Sequence, residues 1–223
     1  MGSRSDNRAT QDEIARPRRG VVTSTRMNIP FLFVALSVAA VGAGIAVFAT
    51  RKPWLRPEDR LWVIGDSLGV GLIPFMKSHG DNDNISVSGF AIGGTNIMQW
   101  SQKITPQAIQ DANATAVLII LGSNDAAASE DYVFKKAPHY AHELVRSLQS
   151  QGIKVWWLAP GQTGALKYSE QIRSMLAGLS FSEGIEEHEP PDSIEYSPLD
   201  GVHPTPKGYK DLADWIWQRM TRA

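Results

Sequence analysis

The sequence predicts an α/β domain, a parallel sheet held between two layers of helices, and three observations carry that expectation. Short apolar runs at 61–64, 85–87, 116–121 and 155–158 are continuous or nearly so instead of alternating with polar residues, as strands are when both faces of a sheet are covered. Stretches with helical spacing separate them, which points to strand–helix–strand units rather than hairpins. The first three runs also lead into turns of small and polar residues, where open parallel sheets carry their ligands.

Taken in order, residues 1–27 are rich in Arg, Ser, Thr, Asn, Asp and Gln. They read as a flexible polar tail with too little apolar surface to fold alone. From Ile29 to Thr50 a run of 22 residues carries no charge. As a helix it would extend about 33 Å at 1.5 Å per residue, enough to cross a hydrocarbon core of about 30 Å. We therefore expect residues 28–50 to form a transmembrane signal anchor. A cleaved signal peptide, with small residues at Val47-Phe48-Ala49 for the cut, is the competing reading, but the run is longer than the roughly 7–15 residues of a signal core. Arg16, Arg18, Arg19 and Arg26 before the helix are matched by Arg51, Lys52, Arg56 and Arg60 after it, so the charge rule leaves orientation open. A short tail ahead of a large domain suits a single-pass protein of a bacterial inner membrane, with the domain outside the cytoplasm. Residues 51–60 read as a tether and 61–223 as the folded domain.

Within the domain, Leu61-Trp62-Val63-Ile64 is the first strand, and Ser67 beyond Gly65 is an expected N-cap for the helix that follows. Tyr140, Leu144, Val145 and Leu148 give one helix a buried face, with Gly152 to end it. Thr205 and Pro206 suit the cap and first position of a last helix over 205–220. Its inward stripe is Tyr209, Leu212, Trp215, Ile216 and Met220. Between 178 and 199 the acidic residues Glu183, Glu186, Glu187 and Glu189 stand before Pro190-Pro191 with no periodicity. An acidic loop is expected there, with at most one short strand near Ile194.

The composition narrows the function. With 22 Lys and Arg against 23 Asp and Glu, nothing recruits nucleic acid. The absence of cysteine removes thiolate nucleophiles and cysteine-held metals. None of the histidines at 79, 139, 142, 188 and 203 has a recognisable metal-ligand spacing, and His139 and His142 read as surface residues. No metal or cofactor is expected.

Chemistry collects in the turns. These are Gly65-Asp66-Ser67 after the first strand, 89–95 ending in Gly93-Gly94-Thr95 after the second, Gly122-Ser123-Asn124-Asp125 after the third, and Asp200-Gly201-Val202-His203 before the last helix. Ester cleavage by serine needs a base, a group to orient that base, and donors for the oxyanion. Ser67 suits the nucleophile, His203 the base and Asp200 its orienting acid, with His188 the next candidate base. The backbone N–H groups of Ser67 and Gly94 and the Asn124 amide suit an oxyanion hole, since glycine admits close approach and asparagine donates without charge.

These four blocks, in this order, resemble the SGNH hydrolases, also called the GDSL esterase/lipase family, over 61–223. The resemblance implies a flavodoxin-like sheet of about five parallel strands and a cofactor-free acyl-enzyme mechanism. Ser67 stands at the family's nucleophile, Gly94, or its neighbour Gly93, at the second block, Asn124 at the third, and Asp200 and His203 in the Asp-x-x-His block. Gly65-Asp66-Ser67-Leu68-Gly69 also fits the G-x-S-x-G elbow of α/β-hydrolases, but that fold places several strands before its nucleophile, and here there is one. The expectation is thus a membrane-anchored serine esterase acting on acyl groups, acetyl first, of an envelope carbohydrate. A thioesterase, lysophospholipase or acyltransferase of the same fold, acting on a lipid ester for instance, is the alternative, and a non-catalytic envelope binding protein is a third. Oligomeric state is not legible.

Overall fold

Strand β1, Arg60–Gly65, lies second in a five-stranded sheet, between an edge strand and the central one, and its Leu61 to Gly65 are buried. The computed structural model describes residues 52–222. The expected polar tail and the expected transmembrane helix at 28–50 lie outside the described residues. Among those described, no helix is long and apolar enough to cross a membrane.

The strands are β1, β2 (Ser86–Ala91), β3 (Ala116–Ile120), β4 (Lys154–Leu158) and β5 (Glu186–His188). They lie in the order β2-β1-β3-β4-β5, and every pairing is parallel. This is the flavodoxin-like order, whose direction of winding reverses between β1 and β3 and leaves a crevice at their carboxyl ends.

Alternate residues of the inner strands enter separate cores. Trp62, Ile64, Val117, Ile119, Val155 and Trp157 face one helical layer. Leu61, Val63, Leu118, Ile120, Trp156 and Leu158 face the other. The first layer holds α2 (Ile97–Lys103), α3 (Pro106–Ala112), α5 (Ala137–Gln149) and α6 (Ser169–Glu183). The second holds α1 (Ser67–Asp83) and α7 (Pro206–Thr221). A one-turn helix, α4 (Ser123–Ala126), follows β3, and a single π-helical turn, Tyr132–Lys136, leads into α5. The expected three-layer α/β/α sandwich is the architecture observed.

Several local expectations change. Asp66, not Ser67, caps α1: its carboxylate accepts from the Leu68 N–H at 2.9 Å, so Ser67 becomes the first helical residue. Strand β2 runs on through Gly89 and Phe90, where the sequence predicts a turn. As an edge strand it is only half covered. The fifth strand is not near Ile194 but at 186–188. There Glu-Glu-His pairs with β4 on one side only, so no apolar pattern marks it. Helix α6 reaches Glu183, inside the segment expected as loop, with Ile172, Leu176 and Leu179 as its buried stripe.

In α7, Thr205 accepts from the Gly208 N–H at 3.0 Å as the cap. Trp217 is buried, and Trp215 stays half exposed. The expected tether is packed at Leu55 and Asp59, with Arg56, Pro57 and Glu58 between them exposed. Leu55 is 1% exposed and its N–H donates to Met220 O at 2.7 Å, because an apolar side chain beside α7 gains more by burial than by remaining in water.

Candidate active site

The close approach of β1 to β3 sets the turn that carries Ser67. A Cβ at Gly65 would lie 2.4 Å from Ile120 O, so only glycine lets the chain leave the sheet at that point. Ser67 follows at the start of α1, over the carboxyl ends of β1 and β3. Its Oγ lies 2.8 Å from His203 Nε2.

His203 comes from the loop before α7, and that loop is closed on itself. Tyr196 and Pro204 form an antiparallel bridge, and Ser197 N–H donates to His203 O at 2.7 Å. Within it, one Asp200 oxygen accepts the Val202 and His203 backbone N–H groups at 2.9 and 3.0 Å. The other lies 2.7 Å from His203 Nδ1. A carboxylate there accepts a hydrogen bond from Nδ1–H and so fixes the tautomer that leaves Nε2 free to accept from Ser67 Oγ. The two backbone N–H groups, with the imidazole, hold Asp200 down at about 2, so it stays an anion through the neutral range. The Asp200 and His203 side chains are 44% and 38% exposed, and the centre is open rather than enclosed.

The donor side is built from the loops after β2 and β3. Gly94 has φ +74°, and the backbone at Gly93 passes beside Ser67: a Cβ there would lie 3.8 Å from Ser67 Cβ. The Asn124 amide donates to Thr95 O at 2.8 Å and reaches Asp66 Oδ2 at 3.3 Å. Both of its N–H groups thus have protein acceptors, the second at the long end of hydrogen-bond distance. Thr95, which receives the first, is held by its own hydroxyl on Ile92 O at 2.6 Å and by the Trp100 indole N–H at 2.9 Å.

Two aspartates to which the sequence assigns no role form the floor. Asp66 and Asp125 are both fully buried. Asp125 accepts the Tyr132 hydroxyl at 2.6 Å and the Ile97 N–H at 3.1 Å. Burial, reinforced by the neighbouring Asp125, raises Asp66 to about 7, against the backbone N–H of Leu68 that favours its anion. Burial likewise pushes Asp125 up. Asp125 has its place in the third block as a signal. Tyr132 has none, since only the π-helical turn brings it there.

His188, the reserve base, is remote. It stacks on Trp156 with ring centroids 4.5 Å apart, on a strand three places from β1, which at about 4.8 Å per strand is roughly 14 Å away. His139 and His142 pair separately with Glu143 and Glu183.

No family model matches the chain, and neither does any curated protein. Among solved structures it is similar to a psychrotrophic esterase from Pseudoalteromonas sp., inhibited by monoethylphosphonate, at 16% identity and TM-score 0.61 over 73% of this chain and 97% of that one. It is similar to a carbohydrate acetylesterase from Sinorhizobium meliloti at 17% identity and TM-score 0.59, over 71% and 97%. A GDSL-like lipase from Bacteroides thetaiotaomicron matches at 16% identity and TM-score 0.54, over 74% and 90%. At these identities what is shared is the fold.

Proposed function

We propose that the protein is a serine ester hydrolase of the SGNH type, removing short acyl groups, acetyl foremost, from carbohydrate. The observation that carries this is the unbroken chain from Ser67 Oγ through His203 to Asp200, at 2.8 and 2.7 Å. Nε2 takes the serine proton as Oγ attacks the ester carbonyl, and the Asp200 anion stabilises the imidazolium that forms. The oxyanion is held by the backbone N–H groups of Ser67 and Gly94 with the Asn124 amide. On collapse, His203 returns the proton to the departing alcohol, leaving Ser67 acylated. Water then attacks by the same route in reverse order and releases the acid. No metal or cofactor enters this scheme.

The openness of the centre supports a short acyl group on a large carrier, since an enclosed apolar slot is what holds a long chain. The likeness to a carbohydrate acetylesterase is in keeping with that choice. The second reading is a lipid ester, favoured by the apolar run at 28–50 and the likeness to a lipase. On either reading we place the chain in a bacterial inner membrane by 28–50, with the domain extracytoplasmic.

Turnover of p-nitrophenyl esters of rising chain length, followed by acetate release from acetylated glycan, tests the assignment. Acetyl should be preferred and glycan deacetylated. A preference for long chains supports the lipid reading, and absence of turnover on every ester refutes both.

A further inference from the structure

The domain has a second polar end, opposite the triad. Helix α7 starts beside His203 and runs 16 residues, about 24 Å at 1.5 Å per residue, to the amino edge of the sheet. There a cavity of about 340 Å³ is lined by Lys52, Trp54, Arg219 and Arg222 over Trp156 and His188, a volume at the small end of the range for ligand sites. Among the described residues none of its three cations has a carboxylate within ion-pair distance, and the one acid on its wall, Glu186, is turned to His188 at 3.6 Å. The Arg219 guanidinium lies 4.7 Å over the Trp215 ring, and Lys154 Nζ donates to Trp54 O at 2.7 Å. The wall is therefore cationic and aromatic.

Lys52 is two residues beyond the last residue of the expected spanning segment, within about 7 Å along an extended chain. If that segment crosses a bilayer, the rim of this cavity stands in the headgroup layer. Tryptophan favours that layer, and anionic lipid there attracts lysine and arginine.

We propose that this cavity binds the phosphate of an anionic glycerophospholipid, so that the domain stands on the membrane by the amino edge of its sheet. The binding itself is independent of the esterase reading. Its consequence deepens that reading: Ser67 opens about 24 Å, the length of α7, from the bilayer surface. It then meets esters on envelope polymer rather than those of its own leaflet.

The chain has no native cysteine, so single nitroxide labels can be placed. The full chain in nanodiscs would carry one at Gln151→Cys, in the exposed turn before β4, or at Ala127→Cys, exposed beyond α4. Relaxation by a nickel-chelating lipid then reads the height of each label. With roughly a third phosphatidylglycerol, residue 151 should relax strongly and residue 127 weakly. Each cation is worth about fivefold in the docked-to-free ratio, so Lys52→Gln/Arg219→Gln/Arg222→Gln should lose about 10²-fold and erase the contrast. It should keep wild-type hydrolysis of soluble p-nitrophenyl acetate. Contrast unchanged by the triple variant or by pure phosphatidylcholine overturns the proposal. So does its removal by millimolar inorganic phosphate at constant ionic strength, which would mean that free phosphate is the ligand. A chain not retained in the discs overturns the anchor and the proposal together. Loss of ester turnover with contrast intact refutes the function and leaves the docking standing.

Discussion

Two sets of carboxylates meet at Ser67, and they sit at opposite ends of the titration range. Asp200 lies in an exposed loop, held down at about 2 by two backbone N–H groups and the His203 ring. Asp66 and Asp125 lie fully buried below the same serine, and burial raises both, Asp66 to about 7. An exposed carboxylate keeps its charge, and that charge can orient and stabilise an imidazolium. Burial disfavours the charged form, and these two carboxyl groups are kept for the hydrogen bonds that join the loops. The exposed loop should therefore govern rate and the floor should govern stability.

The largest effect should come from the loop. His203→Ala should lower kcat/KM by about 10⁴ or more, because the proton from Ser67 then has no acceptor. Its melting temperature should stay close to wild type, the side chain being 38% exposed. Asp200→Asn should fold equally well and lose less than the factor of about 10⁴ that the same change costs a serine protease with a buried aspartate, since solvent partly replaces this open one. A melting temperature that collapsed in either variant would break the division of roles.

The floor should respond the other way. Asp125→Ala leaves the Ile97 N–H and the Tyr132 hydroxyl without their shared acceptor, which should cost about 2–4 kcal/mol in chemical denaturation. Asp66 adds a dependence on pH. Its folded pKa is above its unfolded one, so the native state binds the extra proton between about pH 4 and 7, and stability falls as pH rises through that window, by at most about 1.4 kcal/mol per unit. Asp66→Asn should flatten that decline, and a decline of unchanged slope would assign it elsewhere. Tyr132→Phe, the smallest change, should cost about 1 kcal/mol by removing one bond to Asp125.

How legible these regions are in the sequence follows the same physics. Strands β1, β3 and β4 are buried on both faces, so their apolar runs are continuous. The Thr205-Pro206 start of α7 announces itself by cap chemistry. Ser67, Asp200 and His203, which the structure brings within hydrogen-bond reach, stand in short blocks at the ends of elements. What stays hidden lacks a local signal. Strand β5 is three polar residues stabilised by one neighbour. The Tyr132–Asp125 contact exists only because a π-helical turn rotates the tyrosine inward. Helix α6 is hidden by its weak stripe, although Ile172, Leu176 and Leu179 have helical spacing. The packing of Leu55 on α7 is likewise invisible, since one leucine in a charged segment carries no period.

The central claim is that Ser67 is a nucleophile activated by an exposed His203–Asp200 pair. Its most direct test is fluorophosphonate labelling of the purified full chain, with the modified peptide identified by mass spectrometry. The account predicts a single adduct on Ser67, fast in the wild type, slowed by several orders of magnitude in His203→Ala and absent in Ser67→Ala. An adduct on another residue, or labelling of Ser67 at the same rate without His203, would contradict it.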